Sequence, residues 1–240
     1  MKYTYAMRVP FSATGLTEGL SVVGAAQIIQ DNICSFFAEF GKDDVSISKN
    51  YNAVWVFVKN KFRKIAVAPW NDVISVQSFI TKINMASVIV DTVIKNSKGE
   101  KALYARTEVC VIDLSSQRVR RISSVEFPAD IPVYAPEAEF DFERFDTEGC
   151  TPVYNSAATS TSIDFCKHVN NVEYFRFILN AFNSDTEITN PITEAEIHYL
   201  NQSREGEMLT VSAKNSESGQ VLSVSCGEKT CARCKIKRKN

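Results

Sequence analysis

The run L-S-V-V-G-A-A-Q-I-I-Q-D-N-I-C-S-F-F-A-E-F at 20–40 sets the fold of this chain. Within it Val22, Ala26, Ile29, Ile33, Phe36 and Phe40 recur at three- and four-residue steps, which lines them along one face of an α-helix. The spacing predicts a long helix with a wide buried face, stopped at Gly41, with Asp43 and Asp44 continuing the loop. Beyond it the period changes. Runs rich in Val, Ile, Phe and Tyr at 53–58, 73–80, 88–94 and 102–112 predict strands. In the first, Val54, Val56 and Val58 alternate with Trp55 and Phe57, so both faces are apolar, as in a central strand covered on both sides. Residues 95–101 carry the turn residues of a hairpin loop between the last two runs.

The same order then recurs. Val172, Phe175, Leu179 and Phe182 keep helical spacing, and β-rich runs follow at 197–199, 208–213 and 221–225. Lys95-Asn96-Ser97, leading to Gly99 and Ala102-Leu103, matches Lys214-Asn215-Ser216, leading to Gly219 and Val221-Leu222. Between the halves, 127–154 holds Pro128, Pro132, Pro136 and Pro152 around the acidic run 137–148, without periodicity, and reads as a linker. The expectation is an α+β chain with two tandem domains, 1–126 and 155–240. Each is a long helix wrapped by a curved antiparallel sheet, an arrangement called a double hot dog.

A formal net charge of −1 supplies no basic excess for nucleic acid. The N-terminus lacks the continuous apolar core of a secretory signal, and no run is long enough to span a membrane, so a cytoplasmic protein is expected. Seven cysteines, an odd and scattered set, suit reduced thiols rather than a secreted disulfide framework. The cluster Cys226, Cys231 and Cys234 has no nearby histidine as a fourth zinc ligand, so these read as strand cysteines and no metal is expected.

Only two histidines are present, His168 and His198. His168 stands just before the second helix, where unpaired N–H groups and the helix dipole favour developing negative charge. Asp164, four residues earlier, is close enough to share a pocket with the imidazole, as water activation requires. Asp164 also suits an N-cap, and His168 a hydrogen-bonded structural histidine. His198 lies in a strand-like run, on the face opposite Ile197 and Tyr199, and reads as structural or surface.

The segment I-D-F-C-K-H-V-N-N-V-E-Y at 163–174 resembles the acyl-ACP thioesterases of plants and bacteria (ACP, acyl carrier protein), whose motif leading into a helix is D-x-N-x-H-V-N-N-x-x-Y. W-V-F-V at 55–58, P-W-N-D at 69–72 and H-Y-L-N-Q-S-R-E-G-E at 198–207 are similar to that family as well. The resemblance implies hydrolysis of a fatty acyl-ACP without a cofactor, Asp164 and His168 being catalytic. Cys166 stands where the family has asparagine, Gln202 where it has a further catalytic acid, and Ser203 where it has a cysteine. Gln202 is then left to position water or substrate, with Glu205 or Glu207 as reserve acids. A Cys166 thiolate nucleophile ranks below the water mechanism. Asn170, Asn171, Trp55 and Phe57 are expected to contact substrate.

The first half has Gly15 to Gly19 ahead of its helix and no counterpart of the motif, so it is expected to hold the acyl tail. Acyl carrier protein is acidic, which makes three basic clusters candidate docking sites. They are Lys59, Lys61, Arg63 and Lys64; Arg118, Arg120 and Arg121; and Lys235, Lys237, Arg238 and Lys239. An acyl-CoA thioesterase and a non-hydrolytic acyl-binding protein are the alternatives. A homodimer is left open, because a fused pair already supplies the interface that single hot-dog chains gain by dimerising.

Overall fold

The computed structural model describes residues 1–239. The first half runs β1 (Tyr3–Arg8), α1 (Val22–Ala38), α2 (Asp44–Tyr51), β2 (Ala53–Lys64), β3 (Val73–Ile83), β4 (Ser87–Lys95), β5 (Lys101–Asp113) and the short β6 (Val119–Arg120). The second repeats the order as β7 (Thr151–Ala157), α3 (Asn171–Leu179), α4 (Ser184–Thr189), β8 (Ile192–Tyr199), β9 (Met208–Ser216), β10 (Gly219–Cys226) and β11 (Lys229–Arg238). All strands join one antiparallel sheet ordered β1-β3-β4-β5-β2-β8-β11-β10-β9-β7, with β6 on β5. This is the α+β hot-dog arrangement expected from the sequence.

The four strands expected in the first half and the three in the second are present, most of them longer at their ends than the apolar runs. Several features differ from expectation. The second main helix is short, stopping at Leu179 before Phe182, and β7 begins at Thr151 inside the stretch read as linker. Asp43 and Asp44 do not continue a loop: Asp43 caps α2 by accepting the Ser46 N–H at 3.0 Å. Tyr3–Arg8 and Lys229–Arg238 are strands whose half-exposed or charge-interleaved sequences hide the alternation. Gly41 does end α1, at φ +63.

Strand β2 is central because it joins the halves, pairing with β5 on one side and β8 on the other. Its apolar faces are fully covered at Ala53–Trp55 and half-buried from Val56 to Val58. On the inner face α1 buries Ala25, Ile29, Ile33, Phe36 and Phe37, and packs against α3. Gly24 sits inside α1 although a helical glycine costs about 1 kcal/mol relative to Ala. A Cβ there would lie 2.1 Å from the Ala13 carbonyl oxygen, so only glycine permits the approach. Phe62 of β2 and Phe175 of α3, both fully buried, meet with ring centroids 5.6 Å apart and tie the halves together.

The acidic segment before β7 crosses the outer face as a strap. Asp141 meets Arg106 at 2.8 Å, and Glu143 meets Lys61 at 3.1 Å and Lys237 at 3.2 Å. Burial alone would raise the Glu143 carboxyl, but hydrogen bonds from Lys235, Lys61 and Lys237 outweigh it and hold it at about 2. His198 lies under this strap, bonded to Glu196 at 2.8 Å and covered by Phe142 and Phe145, which makes it structural. The first and third basic clusters are thereby largely occupied within the chain. Lys59 pairs with Glu108, Arg63 with Glu194, and Arg238 with Glu187. In the second, Arg120 bonds the Tyr51 carbonyl.

Candidate active site

Each half leads into its main helix by the same path. In the first, a 3₁₀ turn at Phe11–Ala13 runs to a Thr14↔Leu20 bridge and then Ser21, which caps α1 by accepting the Gly24 N–H. In the second, a 3₁₀ turn at Ser160–Ser162 runs to an Ile163↔Val169 bridge and then Asn170, which caps α3 by accepting the Val172 N–H. Gly15 therefore occupies the place of Asp164, Thr17 that of Cys166, and Gly19 that of His168.

Asp164 is not the helix cap. Its carboxylate accepts the Cys166 N–H at 2.9 Å, and its own N–H bonds the His168 carbonyl at 3.0 Å, so it closes the loop that presents the histidine. No side-chain hydrogen bond joins Asp164 to His168 among the described residues. Lys167 takes φ +65 to make this turn. The loop is anchored from below, where the Val169 N–H bonds the carbonyl of buried Ser203 at 2.8 Å and Tyr174 donates to the Ser203 hydroxyl at 3.0 Å.

His168 is half-buried, and burial together with the charge of Arg204 moves its pKa below the ordinary imidazole value, against the opposing pull of Asp164 and Glu207. The ring is thus neutral near pH 7 and able to accept a proton. Of the two reserve acids, Glu207 is the one whose charge reaches it. Gln202 is exposed and makes no hydrogen bond to Asp164 or His168, although its carbonyl is held by Lys229 at 3.0 Å.

Cys166 does not carry the lowered pKa that a thiolate nucleophile at a helix start beside a histidine would need. Burial, with Asp164 and Asp44 adding negative charge, pushes the thiol up to about 11, so it is protonated at neutral pH. A thiol raised in this way does not favour a thiolate nucleophile.

Across from the loop, Ile33, Cys34, Phe37, Asp43, Asp44, Trp55, Phe57 and Val109 line a narrow cleft. Its free volume is about 10 Å³, near the room one water needs. Trp55 is fixed in its wall, packed on Phe37 at 4.7 Å, with its indole N–H on the Lys42 carbonyl at 2.7 Å. Cys34 lines the cleft and is solvent-exposed, though with many protein atoms nearby. Crowding, then the charges of Asp44 and Asp31, raise its thiol to about 12.

Asp44 is the residue that sequence reasoning missed. Burial raises its carboxyl to about 6, against the Trp55 N–H bonded to it at 2.7 Å, and the charges of Asp43 and Asp164 add to the rise. A pair of aspartates ahead of W-V-F-V was the available signal, and it reads equally well as a loop. Asn170 uses its side-chain oxygen as the cap, and Asn171 opens α3 with its carbonyl held by the Tyr199 hydroxyl at 3.1 Å. Among the described residues no group of histidine, cysteine or carboxylate side chains is arranged to hold a metal.

Comparison with known proteins agrees with this geometry. Residues 1–128 match the acyl-ACP thioesterase N-terminal domain, and residues 155–235 match the C-terminal domain. The chain belongs to the acyl-ACP thioesterase family. By that membership it is a thioester hydrolase of fatty-acid biosynthesis. A Bacteroides thetaiotaomicron acyl-ACP thioesterase superposes with a TM-score of 0.91 at 19% identity, over 99% of this chain and 98% of that one. The 12:0-ACP thioesterase of Umbellularia californica superposes with a TM-score of 0.83 at 13% identity, over 99% and 97%. At these identities the likeness establishes the fold. A search of curated protein sequences gives no match. No helix among the described residues is long and apolar enough to cross a membrane.

Proposed function

We propose that this family member hydrolyses fatty acyl-ACP to a free fatty acid and the carrier thiol by direct attack of water. The observation that carries the reading is His168, held neutral on a tightly bonded loop at the start of α3. Its neighbour Cys166 lies in the field of Asp44, a lining residue of the cleft that also holds Trp55 and Phe57. The imidazole takes a proton from water as its oxygen attacks the thioester carbonyl carbon. The start of α3 faces the oxyanion that forms. The C–S bond then breaks, and the sulfur leaves with the proton that His168 returns.

Asp164 keeps the loop in shape. Asp44 stands across the cleft as a second proton acceptor, offsetting the loss of an acid at Gln202. The tail inserts between Trp55 and Phe57 by displacing side chains of the narrow cleft. Residues 1–126 thus hold the acyl chain and supply Asp44, 127–154 link the halves and include the strap, and 155–240 supply the base His168. For the acidic carrier, Lys167 and Arg204, exposed beside His168, are the basic groups nearest the site.

Turnover of acyl-ACP and acyl-CoA, measured with the wild type, His168→Ala and Arg204→Glu, tests this. Expected are preference for acyl-ACP, loss of turnover in the first variant, and a raised KM for acyl-ACP alone in the second. Turnover that survives His168→Ala would overturn the mechanism. Equal use of acyl-CoA would overturn the carrier assignment.

A further inference from the structure

A cavity of about 440 Å³ lies away from His168, at the matching place in the other half. It lies between the loop that leads into α1 and the end of α3 with the start of α4. Its volume falls in the range typical of small-molecule pockets, about 300–1,000 Å³. Gly15 and Thr17 line it where Asp164 and Cys166 stand in the other half, and Ser184, first residue of α4, takes the position that Asp44 holds in α2. The hydrolytic groups are therefore missing while the space remains.

Its charge differs from that of the cleft. The lining carries Lys64, Arg176 and Glu187, a net +1. Arg176 is paired with Glu173 at 2.9 Å, and Glu187 with Arg238 at 2.6 Å. No carboxylate among the described residues lies within salt-bridge distance of the Lys64 amine. Burial lowers its pKa, only partly countered by Glu187, so the ammonium lacks both full hydration and a partner. The lining also includes the hydroxyl residues Thr17, Ser21 and Ser184 and the apolar Leu16, Leu179 and Phe182.

We propose that this cavity is a second, non-catalytic site for an amphipathic monocarboxylate of the fatty-acid class, its carboxylate on Lys64 and its tail against Leu179 and Phe182. One unpaired cation balances one carboxylate and leaves a diphosphate headgroup over-charged, which selects the ligand class. The inference rests on the hydrolase reading only in that fatty acid is its product. The bound product then occupies a site formed by both halves.

Calorimetric titration with decanoate tests it, alongside decanol, with the wild type, Lys64→Met and Thr17→Trp. Expected are about two equivalents of decanoate on the wild type, one in the cleft and one here. Lys64→Met should weaken one of them by about tenfold or more, as loss of a charge-assisted contact predicts. Thr17→Trp fills the mouth from an exposed loop position and should remove the same equivalent even if Lys64→Met fails to fold. A single equivalent on the wild type, two equivalents undisturbed by Thr17→Trp, or decanol bound here as tightly as decanoate would each overturn the proposal. Two equivalents on a chain without acyl-ACP turnover would sink the hydrolase reading and leave this site standing. Turnover with one equivalent would do the reverse.

Discussion

The loops that lead into α1 and α3 share one backbone and differ in chemistry. Thr14 to Ser21 and Ile163 to Asn170 follow the same bridge-and-cap path. Yet the first presents Gly15 and Thr17 to a roomy basic cavity, and the second presents Asp164, Cys166 and His168 opposite a narrow acidic cleft. The path is required in both halves because each must seat a helix on a curved sheet. The side chains at Thr17 and Cys166 are free to diverge, since they lie outside the buried core. Fold and site are thus separately encoded in the same few residues.

The sharpest way to break the contrast is His168→Ala. Loss of a general base costs about 10²–10⁴ in rate, and kcat on acyl-ACP should fall by that much with little change in KM. Thr17→Ala, on the exposed loop before α1, should change it by less than about twofold. Comparable losses in both variants would mean that the two loops act on the same step.

A second contrast sets Asp44 against Ser184, the first residues of α2 and α4. A carboxyl raised to about 6 in the fold is costly to ionise there, so its stability contribution is complete below the unfolded carboxyl pKa and lost as pH rises through about 6. Asp44→Asn, which retains an acceptor for the Trp55 N–H, should therefore stabilise the protein by about 1–3 kcal/mol at pH 7. The gain should vanish below pH 4, while turnover falls. Thermal unfolding at several pH values reads the first effect. A gain independent of pH would mean that the carboxyl is not strained.

Cys166 offers a smaller effect of opposite sign. Its thiol, held at about 11, is a weak hydrogen-bonding group where the wider family has an amide. Cys166→Asn should raise kcat by roughly three- to tenfold, about 1 kcal/mol of better-oriented water. Cys166→Ser should leave activity within about threefold, whereas a thiolate mechanism requires near-complete loss.

Much of this is legible in the sequence alone. The 3.6-residue period from Val22 to Phe40, the strand runs and the D-F-C-K-H-V-N-N motif are local signals, and the fold follows from them. Asp44, the strap and the second cavity are not legible, because each depends on contacts between residues far apart in sequence. Nothing near Glu143 announces Lys61, Lys235 and Lys237, which β2 and β11 bring to it. Several charges of the basic runs are engaged in the same way, among them Lys61, Lys235 and Lys237. A charge run says nothing of what folds over it.

The finest contrast concerns how the field around His168 is set. Burial lowers its pKa first and Arg204 second, while Asp164 and Glu207 pull upward. Nothing comparable acts at Gly19, which has no group to titrate. Because the neutral ring is the base, rate should rise with pH through the His168 titration and level off by pH 7, with the midpoint of the acid limb below the ordinary imidazole value of 6.5. Arg204→Gln removes the downward push of a positive charge, so the limb should move to higher pH while the plateau rate stays within about twofold. Glu207→Gln removes an upward pull, so the limb should move the other way. Opposite shifts from two neighbours are hard to produce by general disturbance of the loop. A limb that both variants leave in place would mean that the titrating base is not His168, and Asp44, at about 6, would then be the group to test.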